Sequence, residues 1–237
     1  MKKINWAILG AARITEKMIP AIMNSKYGEL KAIGSRRPNS AKECIKKHAP
    51  NHTSKIECYT GFDQIINDNE INAIYIPLSN EEHTEPALKA IRNKKHVLIE
   101  KPMAIKSQEV QILINEAKKN NVKIMEGFMY AFHPQFDRLQ NIINSGILGQ
   151  VNYAHSMFSF PIQPARFYRI NREISNGGGA LWDIGPYAIH TVRNCFKESP
   201  VRVYGQSKLN EQNADISTTG MIDFGSNKKA TFDISFE

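Results

Sequence analysis

The sequence predicts an α/β fold: a doubly wound parallel sheet, followed by an α+β domain with a largely antiparallel open sheet. Over residues 1–126, short apolar runs alternate with helical periods, which is typical of a parallel sheet covered on both faces. After a helix, a strand-like run and the stretch "NGGGALWDIGPYAIHTVRNCF", which is expected to be a loop feeding a helix, three strand-like runs from Val201 onwards follow one another without intervening helices, which favours antiparallel pairing. We therefore expect two domains, residues 1–126 and residues 127–237.

Five strands are predicted in the first domain: Ala7–Leu9, Leu30–Ile33, Ala73–Ile76, Val97–Ile99 and Val122–Met125. Four helical periods lie between them: Glu16–Asn24, Ala41–Lys47, Glu82–Arg92 and Gln108–Lys119. Ser79 is placed to cap a helix, with Glu82 reaching back three residues later.

The second domain is predicted to begin with a helix and to continue mainly as strands. The helix is Gln135–Asn144, and the strands are residues 149–160, Val201–Ser207, Thr218–Phe224 and Ala230–Phe236. The last run, "KKATFDISFE", alternates up to the final residue, which predicts an unpaired sheet edge. This ending indicates a chain that is truncated at its C-terminus.

Composition excludes several classes of function. The 237 residues carry a formal charge of +8, but the lysine pairs are spread over separate helices, so no nucleic-acid surface is predicted. No apolar run approaches the ~18 residues of a membrane span, and the N-terminal run is read as a strand, not as a signal peptide. The protein is therefore expected in the cytoplasm. Cys44, Cys58 and Cys195 are scattered, which argues against a disulfide framework and a structural zinc site.

The stretch "WAILGAARITEKMIPAI" predicts a strand, a turn and a helix in the order that a dinucleotide-binding unit requires. A complete Gly-x-Gly-x-x-Gly fingerprint would have glycine at three positions, which are Gly10, Ala12 and Thr15 here. We predict that Gly10, Ala12, Arg13 and Ile14 contact a cofactor phosphate at the helix N-terminus. The alternative is an ordinary strand-to-helix turn.

The predicted second strand ends in "AIGSRRPNS", where an NAD site usually has an acidic residue. Ser35, Arg36 and Arg37 instead supply a hydroxyl and two guanidinium groups, which are suited to the 2′-phosphate of NADP. We therefore favour NADP over NAD. The alternative is a solvent-facing basic turn.

The stretch "HVLIEKPMAIKS" places two charges and a proline directly after an apolar strand. Proline ends the ladder of hydrogen bonds, and ligands bind at the carboxyl ends of strands in such sheets. Glu100, Lys101 and Pro102 are therefore candidate site residues.

The stretch "GGGALWDIGPYAIH" supplies two further candidates, Asp183 and Tyr187, which share a face if the segment is helical. Gly185 and Pro186 predict an irregular first turn. Hydride transfer at an alcohol carbon needs an acid or base at the oxygen, and an ammonium group near a phenol makes the phenol a better one. We predict Lys101, Asp183 and Tyr187 as catalytic; the alternatives are a core tyrosine and a helix-capping aspartate.

The motifs "WAILGAARI", "YIPLSNEEH", "EKPMA", "EGFMYAFHPQF" and "GGGALWDIGPYAIH", in this order, resemble the glucose–fructose oxidoreductase / inositol dehydrogenase (Gfo/Idh/MocA) family. The branch of dihydrodiol dehydrogenase and NADP-dependent xylose dehydrogenase is the most similar. The resemblance covers nearly the whole chain. It implies a Rossmann domain followed by an open sheet that helps to form dimers.

The resemblance also implies roles for individual residues. Lys101 lies by the nicotinamide and the substrate, Tyr187 is the proton donor or acceptor, and Asp183 stands beside it. The segment that passes along the cofactor is matched by Pro77, Leu78, Asn80 and His83. Three departures stand out: Ala12 replaces a glycine, Ala131 stands where the family usually has arginine, and family members continue well past residue 237.

The predicted substrate is a sugar, another polyol or a cyclic diol, interconverted with its ketone. Aromatic residues are frequent in the segments expected to form the pocket, and we predict that Phe158 and Trp182 contact substrate. Phe158 and Phe160 share a strand face, so at least one is expected in the core. His190 is expected to pack on a helix face. The alternative function is a truncated, non-catalytic relative that binds NADP.

Overall fold

The computed structural model describes residues 3–237 and divides the chain into two compact units. The first unit ends at Gly127, and the second comprises Phe128–Glu237. Within residues 3–237, none of the helices has the length and apolar character needed to cross a membrane.

The first unit is built on a six-stranded parallel sheet. Its strands are β1 (Ile4–Leu9), β2 (Gly28–Ser35), β3 (Glu57–Thr60), β4 (Ala73–Ile76), β5 (His96–Ile99) and β6 (Ile124–Glu126). Its helices are α1 (Thr15–Met23), α2 (Ser40–His48), α3 (Asp63–Asn67), α4 (Thr84–Arg92) and α5 (Ser107–Asn120). The strand order β3-β2-β1-β4-β5-β6 is that of a doubly wound dinucleotide-binding sheet, so the predicted fold class is confirmed.

Successive residues of β1 point to opposite faces of this sheet, as the period of a strand requires. Ala7 and Leu9 pack in one buried cluster, whereas Ile8 packs in the other. Both faces are therefore covered by helices, which explains why the central strands are continuous apolar runs.

Three local features differ from the prediction. β3 and α3 are not predicted, because the strand "ECYT" is a short edge strand without an apolar run. β6 begins at Ile124, not Val122, because the Val122 N–H group still bonds to the Ala117 carbonyl and closes the end of α5. A short 3₁₀ turn, Asn80–Glu82, precedes α4, which therefore starts at Thr84.

The second unit contains a four-stranded sheet and three helices. The strands are β7 (Tyr153–Ser159), β8 (Arg202–Leu209), β9 (Asp215–Gly225) and β10 (Lys228–Ser235), and the helices are α6 (Pro134–Asn144), α7 (Ala180–Asp183) and α8 (Gly185–Phe196). The strand order is β7-β10-β9-β8. β9 pairs antiparallel with both neighbours, and β7 pairs parallel with β10, so the largely antiparallel sheet is confirmed.

The expectation that the last run forms an unpaired edge is wrong. β10 lies inside the sheet, hydrogen-bonded to β9 on one side and to β7 on the other. The edges are formed by β7 and β8. Apolar and polar residues alternate along β10 because one face of the strand is buried. Ala230, Phe232 and Ile234 on that face pack in the core of the second unit.

Candidate active site

Gly10 forms the turn between β1 and α1 and has a backbone conformation that glycine tolerates best, with φ of 131°. Its N–H group donates to the Gly34 carbonyl at 2.8 Å. A Cβ atom at this position would lie 2.9 Å from Leu78 Cδ2. Gly10 is therefore in close contact with Leu78, another residue predicted to line the cofactor.

Thr15 occupies the third fingerprint position and is fully buried at the start of α1. Its hydroxyl donates to the Ala12 carbonyl and lies 3.2 Å from Cys44 Sγ on α2. A threonine with this contact packs closely against α2, so the third glycine is not needed here. Ala12 is half-buried and Arg13 is exposed at the same turn.

The two arginines after β2 have different surroundings. Arg36 forms a two-pronged ion pair with Glu82, with Nη1–Oε1 and Nη2–Oε2 distances of 2.5 and 2.8 Å. The hydrogen bond from Arg36 lowers the pKa of Glu82, and the same contact raises the pKa of Arg36. The Arg37 N–H group bonds to the hydroxyl of the buried Ser35 at 3.2 Å. Glu82 also reaches back to Ser79, as predicted, and hydrogen bonds from Ser79 lower its pKa further, but the ion pair with Arg36 was missed.

A cleft of about 370 Å³ opens at the carboxyl ends of β2, β3 and β4 in the first unit. Its lining includes apolar side chains such as Phe62 and Leu78, two cations and four carboxylates; the charged residues are Arg36, Lys89, Asp63, Glu81, Glu82 and Glu85. The guanidinium group suits the extra phosphate of NADP, whereas the carboxylates oppose an anion, so phosphate binding here depends on release of Arg36 from Glu82.

Arg36→Ala is expected to weaken NADPH binding by about 10- to 100-fold while leaving NADH binding within about threefold, because only NADPH carries the 2′-phosphate. Glu82→Gln is expected to strengthen NADPH binding, because it removes the carboxylate that competes for the guanidinium group. Titrations of NADPH and NADH fluorescence measure both effects.

Arg92→Ala is the matched control, since Arg92 is an exposed arginine of the first unit that pairs with Glu116, away from this cleft. It is expected to change neither affinity. Equal losses for NADPH and NADH in Arg36→Ala would contradict a 2′-phosphate role.

Glu100, Lys101 and Pro102 directly follow β5 at the same carboxyl edge of the sheet. The Tyr75 hydroxyl on β4 donates to Glu100 Oε1 at 2.6 Å. Lys101 is buried, with 9% exposure. His83 is fully buried, and its two ring nitrogens face the carbonyl oxygens of Pro102 and Leu78.

Asp183 and Tyr187 lie in the second unit on either side of a break in the helix. α7 ends at Asp183 and α8 begins at Gly185, so the predicted irregular turn is confirmed. Asp183 is buried, with 7% exposure, and accepts a hydrogen bond from the Arg169 guanidinium group. Arg169 was missed because it ends a short 3₁₀ helix, Pro164–Arg169, that has no recognisable motif.

Tyr187 is surrounded by aromatic rings of its own unit. The Phe128, Tyr130 and Phe158 rings lie 5.9, 5.8 and 5.8 Å from its ring centre, in edge-on orientations. Phe128 also stacks on His190. These ring–ring contacts fix the orientation of the Tyr187 ring and do not involve its hydroxyl group.

His190 does more than pack on a helix face, because its Nδ1 is within hydrogen-bonding distance of the Tyr130 hydroxyl. Burial lowers the pKa of His190 and raises that of Tyr130, so both groups favour their neutral forms. Thr191 lies 3.0 Å from the same hydroxyl. This small network borders the ring of Tyr187 and was missed in the sequence.

Phe158 and Trp182 are the two predicted substrate contacts. Phe158 is partly exposed and lies against the Tyr187 ring, whereas its strand neighbour Phe160 packs against the core. The Trp182 indole N–H group donates to the Ile174 carbonyl at 2.7 Å, and its side chain is half-buried. The indole N–H is thus engaged by the main chain, and substrate contact by either ring stays a prediction.

A buried aspartate supports the loop that leads into α7. Asp215 is fully buried, and its Oδ2 accepts hydrogen bonds from the Leu181 N–H group and the Thr218 hydroxyl, both at 2.8 Å. Gly179 has φ of 96°, and a Cβ atom there would lie 1.9 Å from Asp215 Oδ1. Burial raises the pKa of Asp215. Across residues 3–237, no group of three or more His, Cys, Asp or Glu residues is arranged to hold a metal ion.

Two family models match the chain, one over each unit. The model of the oxidoreductase family with an NAD-binding Rossmann fold matches residues 4–128, and that of the GFO/IDH/MocA C-terminal domain matches residues 136–237. The chain belongs to the GFO/IDH/MocA oxidoreductase family. The resemblance seen in the sequence motifs is therefore confirmed.

Named members of this family are similar over nearly the whole chain. D-xylose 1-dehydrogenase (NADP(+)) 2 of Haloferax volcanii is 31% identical over 98% of this chain and 69% of its own length. Trans-1,2-dihydrobenzene-1,2-diol dehydrogenase of Xenopus laevis is 27% identical over 95% of this chain and 67% of its own length. The chain thus spans about two thirds of the length of these relatives.

A solved family structure has the same architecture. A 3-ketoreductase from Actinomadura kijaniata, in complex with NADP and TDP-benzene, superposes with a TM-score of 0.88 and 25% identity, covering 100% of this chain and 71% of its own. The ketoreductase structure is a complex with NADP, and the name of the xylose dehydrogenase includes NADP(+), in agreement with the cofactor predicted from the two arginines after β2.

Proposed function

We propose that this chain is an NADP-dependent oxidoreductase that transfers a hydride between the cofactor and a CH–OH group of a sugar or cyclic diol. Family relatives named for D-xylose and for a dihydrodiol support this substrate class. The observation that carries the proposal is the position of Lys101. It is a buried lysine at the carboxyl end of β5, on the sheet edge that also carries the Gly10 turn.

The first unit fits NADP in its own geometry. Gly10 has φ of 131°, and Leu78 lies where a Cβ atom would be, so the tight turn before α1 favours glycine. We propose that the cofactor phosphates lie at the N-terminus of α1. Arg36 is the residue we propose for the 2′-phosphate, after release from Glu82. When bound, the nicotinamide supplies or accepts the hydride.

Side chains of the protein transfer the proton at the substrate oxygen. We propose that Tyr187 gives a proton to, or takes one from, the substrate oxygen, while Lys101 holds that oxygen or favours the ionised phenol. We propose that Asp183 keeps Lys101 charged and oriented. The guanidinium group of Arg169 also binds the Asp183 carboxylate. This mechanism requires Lys101 and Tyr187 to converge on one oxygen atom.

The remaining predictions concern partners and compartment. The predicted homo-oligomer would use the exposed sheet face of the second unit, where Met157, Tyr204 and Met221 are large, exposed side chains on the side opposite the core. We propose the cytoplasm as the compartment, which the three free thiols of Cys44, Cys58 and Cys195 support.

A spectrophotometric screen tests the proposal. NADPH oxidation with ketoses and other ketones, and NADP reduction with aldoses, polyols and cyclic diols, are expected to reveal turnover with at least one substrate. Turnover with NADP(H) is expected to exceed that with NAD(H) by about tenfold or more. Lys101→Ala is expected to lose this turnover. NADPH binding without turnover on any of these compounds would instead favour the non-catalytic alternative.

A further inference from the structure

The peptide unit that joins Pro102 to Met103 is held at both ends by side chains. Its carbonyl oxygen lies 2.8 Å from His83 Nδ1, and its N–H group donates to Glu126 Oε1 at 2.7 Å. This peptide immediately follows Lys101–Pro102, so the two contacts fix the plane of the main chain just after the candidate catalytic lysine.

These contacts begin where the sheet ends. The Glu100 N–H group bonds to the Ile76 carbonyl, and the Gly127 N–H group bonds to the Ile99 carbonyl, which continues the ladder on both sides of β5. The Pro102–Met103 peptide lies past the strand, where the ladder supplies no neighbour, and buried main-chain groups need one. His83 lies immediately before α4, in the segment that follows β4, and Glu126 is the last residue of β6, so the clamping side chains come from the connections of the two strands that flank β5.

The surroundings of the two side chains differ from those of ordinary surface residues. His83 is completely buried, and its Nε2 lies 3.0 Å from the Leu78 carbonyl. Both nitrogens thus face acceptors, but a neutral imidazole carries only one proton. Burial lowers the pKa of His83, which favours this neutral ring, although the carbonyls of Pro102 and Leu78 oppose the effect.

Glu126 is half-buried, and burial raises its pKa, with the Met103 N–H group and the Lys101 ammonium group acting in the opposite direction. The carboxylate is therefore close enough to Lys101 to feel its charge. Glu126 thus bonds to the turn, and the nearby positive charge of Lys101 favours its ionised form.

We propose that His83 and Glu126 are positioning residues that clamp the Pro102–Met103 peptide and thereby set the direction in which Lys101 leaves the sheet. The proposal rests on the proposed function, since it gives Lys101 a reacting partner. It assigns the ring proton of His83 to Nδ1, which donates to Pro102. His83 then acts through the main chain and not by touching the cofactor.

Substitutions of similar shape separate the clamp from simple packing. Glu126→Gln keeps an acceptor oxygen for Met103, whereas Glu126→Leu removes it. His83→Asn keeps a donor near the position of Nδ1, whereas His83→Gln places its amide near the position of Nε2. We expect Glu126→Leu and His83→Gln to lower kcat by about 10- to 100-fold, and their conservative counterparts to keep it within about fivefold. KM for NADPH is expected to change less than threefold in all four variants.

Two measurements test the contacts of the clamp and do not depend on catalytic turnover. Hydrogen exchange of the Met103 amide is expected to accelerate about tenfold in Glu126→Leu and to stay slow in Glu126→Gln. Long-range ¹⁵N NMR of the His83 ring is expected to show the Nδ1–H tautomer. If Glu126→Leu does not fold, the His83→Asn and His83→Gln pair still decides the outcome.

Unchanged Met103 exchange in Glu126→Leu, or a ring proton on Nε2, would overturn the clamp. Equal kcat in His83→Asn and His83→Gln would do the same. A parent protein that turns over no substrate would count against the proposed function alone, because the exchange and NMR results are read in the absence of substrate.

Discussion

Tyr187→Phe is expected to lower turnover by about 10²- to 10⁴-fold, the range that a positioned acid or base contributes. The substitution removes only the hydroxyl group. The ring keeps its edge-on contacts with Phe128, Tyr130 and Phe158, so the fold and NADPH affinity are expected to stay unchanged. Initial rates with the best substrate from the screen, together with NADPH fluorescence titration, measure the two effects separately.

Tyr168→Phe provides the matched control, because Tyr168 is a tyrosine of the same unit with 62% exposure. Its turnover is expected to equal that of the parent within about twofold, in line with the small effects of surface substitutions. If Tyr187→Phe also retains the turnover of the parent, the phenol is not the acid or base, and another group must carry the proton.

Gly179→Ala is expected to destabilise the second unit by about 3 kcal/mol or more. Its φ of 96° with ψ of 175° lies in a region that is essentially restricted to glycine, which alone costs about 1–3 kcal/mol. The new Cβ atom would also overlap Asp215 Oδ1 and push this buried carboxylate away from the Leu181 N–H group. Urea unfolding, followed by fluorescence of the unit's tryptophan, Trp182, measures the loss.

Gly205→Ala is the control for this substitution. Gly205 lies on the exposed strand β8, and the nearest atom to an added Cβ would be the Thr219 carbonyl oxygen at an ordinary 3.7 Å. Its free energy of unfolding is expected to stay within about 0.5 kcal/mol of that of the parent, as is typical of surface positions, so its urea midpoint changes little. A midpoint for Gly179→Ala as high as that of this control would mean that the loop before α7 rearranges without cost.

The elements that could be predicted are those in which burial produces a run or a periodic pattern of apolar residues in the sequence. β4 is buried at all four of its positions, and its bounds, Ala73–Ile76, are those predicted from the apolar run. β3 has no such trace, because it is a four-residue edge strand in which no position is fully buried. The place of β10 inside the sheet was also not predictable, because alternation identifies a buried face but not the neighbouring strands.

The candidate residues that could be predicted stand in short motifs at strand ends, as Lys101 and Arg36 do. Their contacts could not be predicted, because they come from distant segments. Glu82 is 46 residues from Arg36, and Asp215 meets Leu181 across 34 residues. Only the topology of each unit brings such groups together. Glu126 carried a partial signal, because it follows an apolar run that ends at the same sheet edge as Lys101.

The central place of β10 has a consequence for biosynthesis. β7 has its hydrogen-bonded neighbour about 75 residues later in the chain, whereas β8 and β9 are joined by a short connection. During translation the hairpin of β8 and β9 is complete before β10 is made, so β7 has no strand to pair with until β10 has been synthesised. The sheet of the second unit therefore closes late, through a contact of large sequence separation.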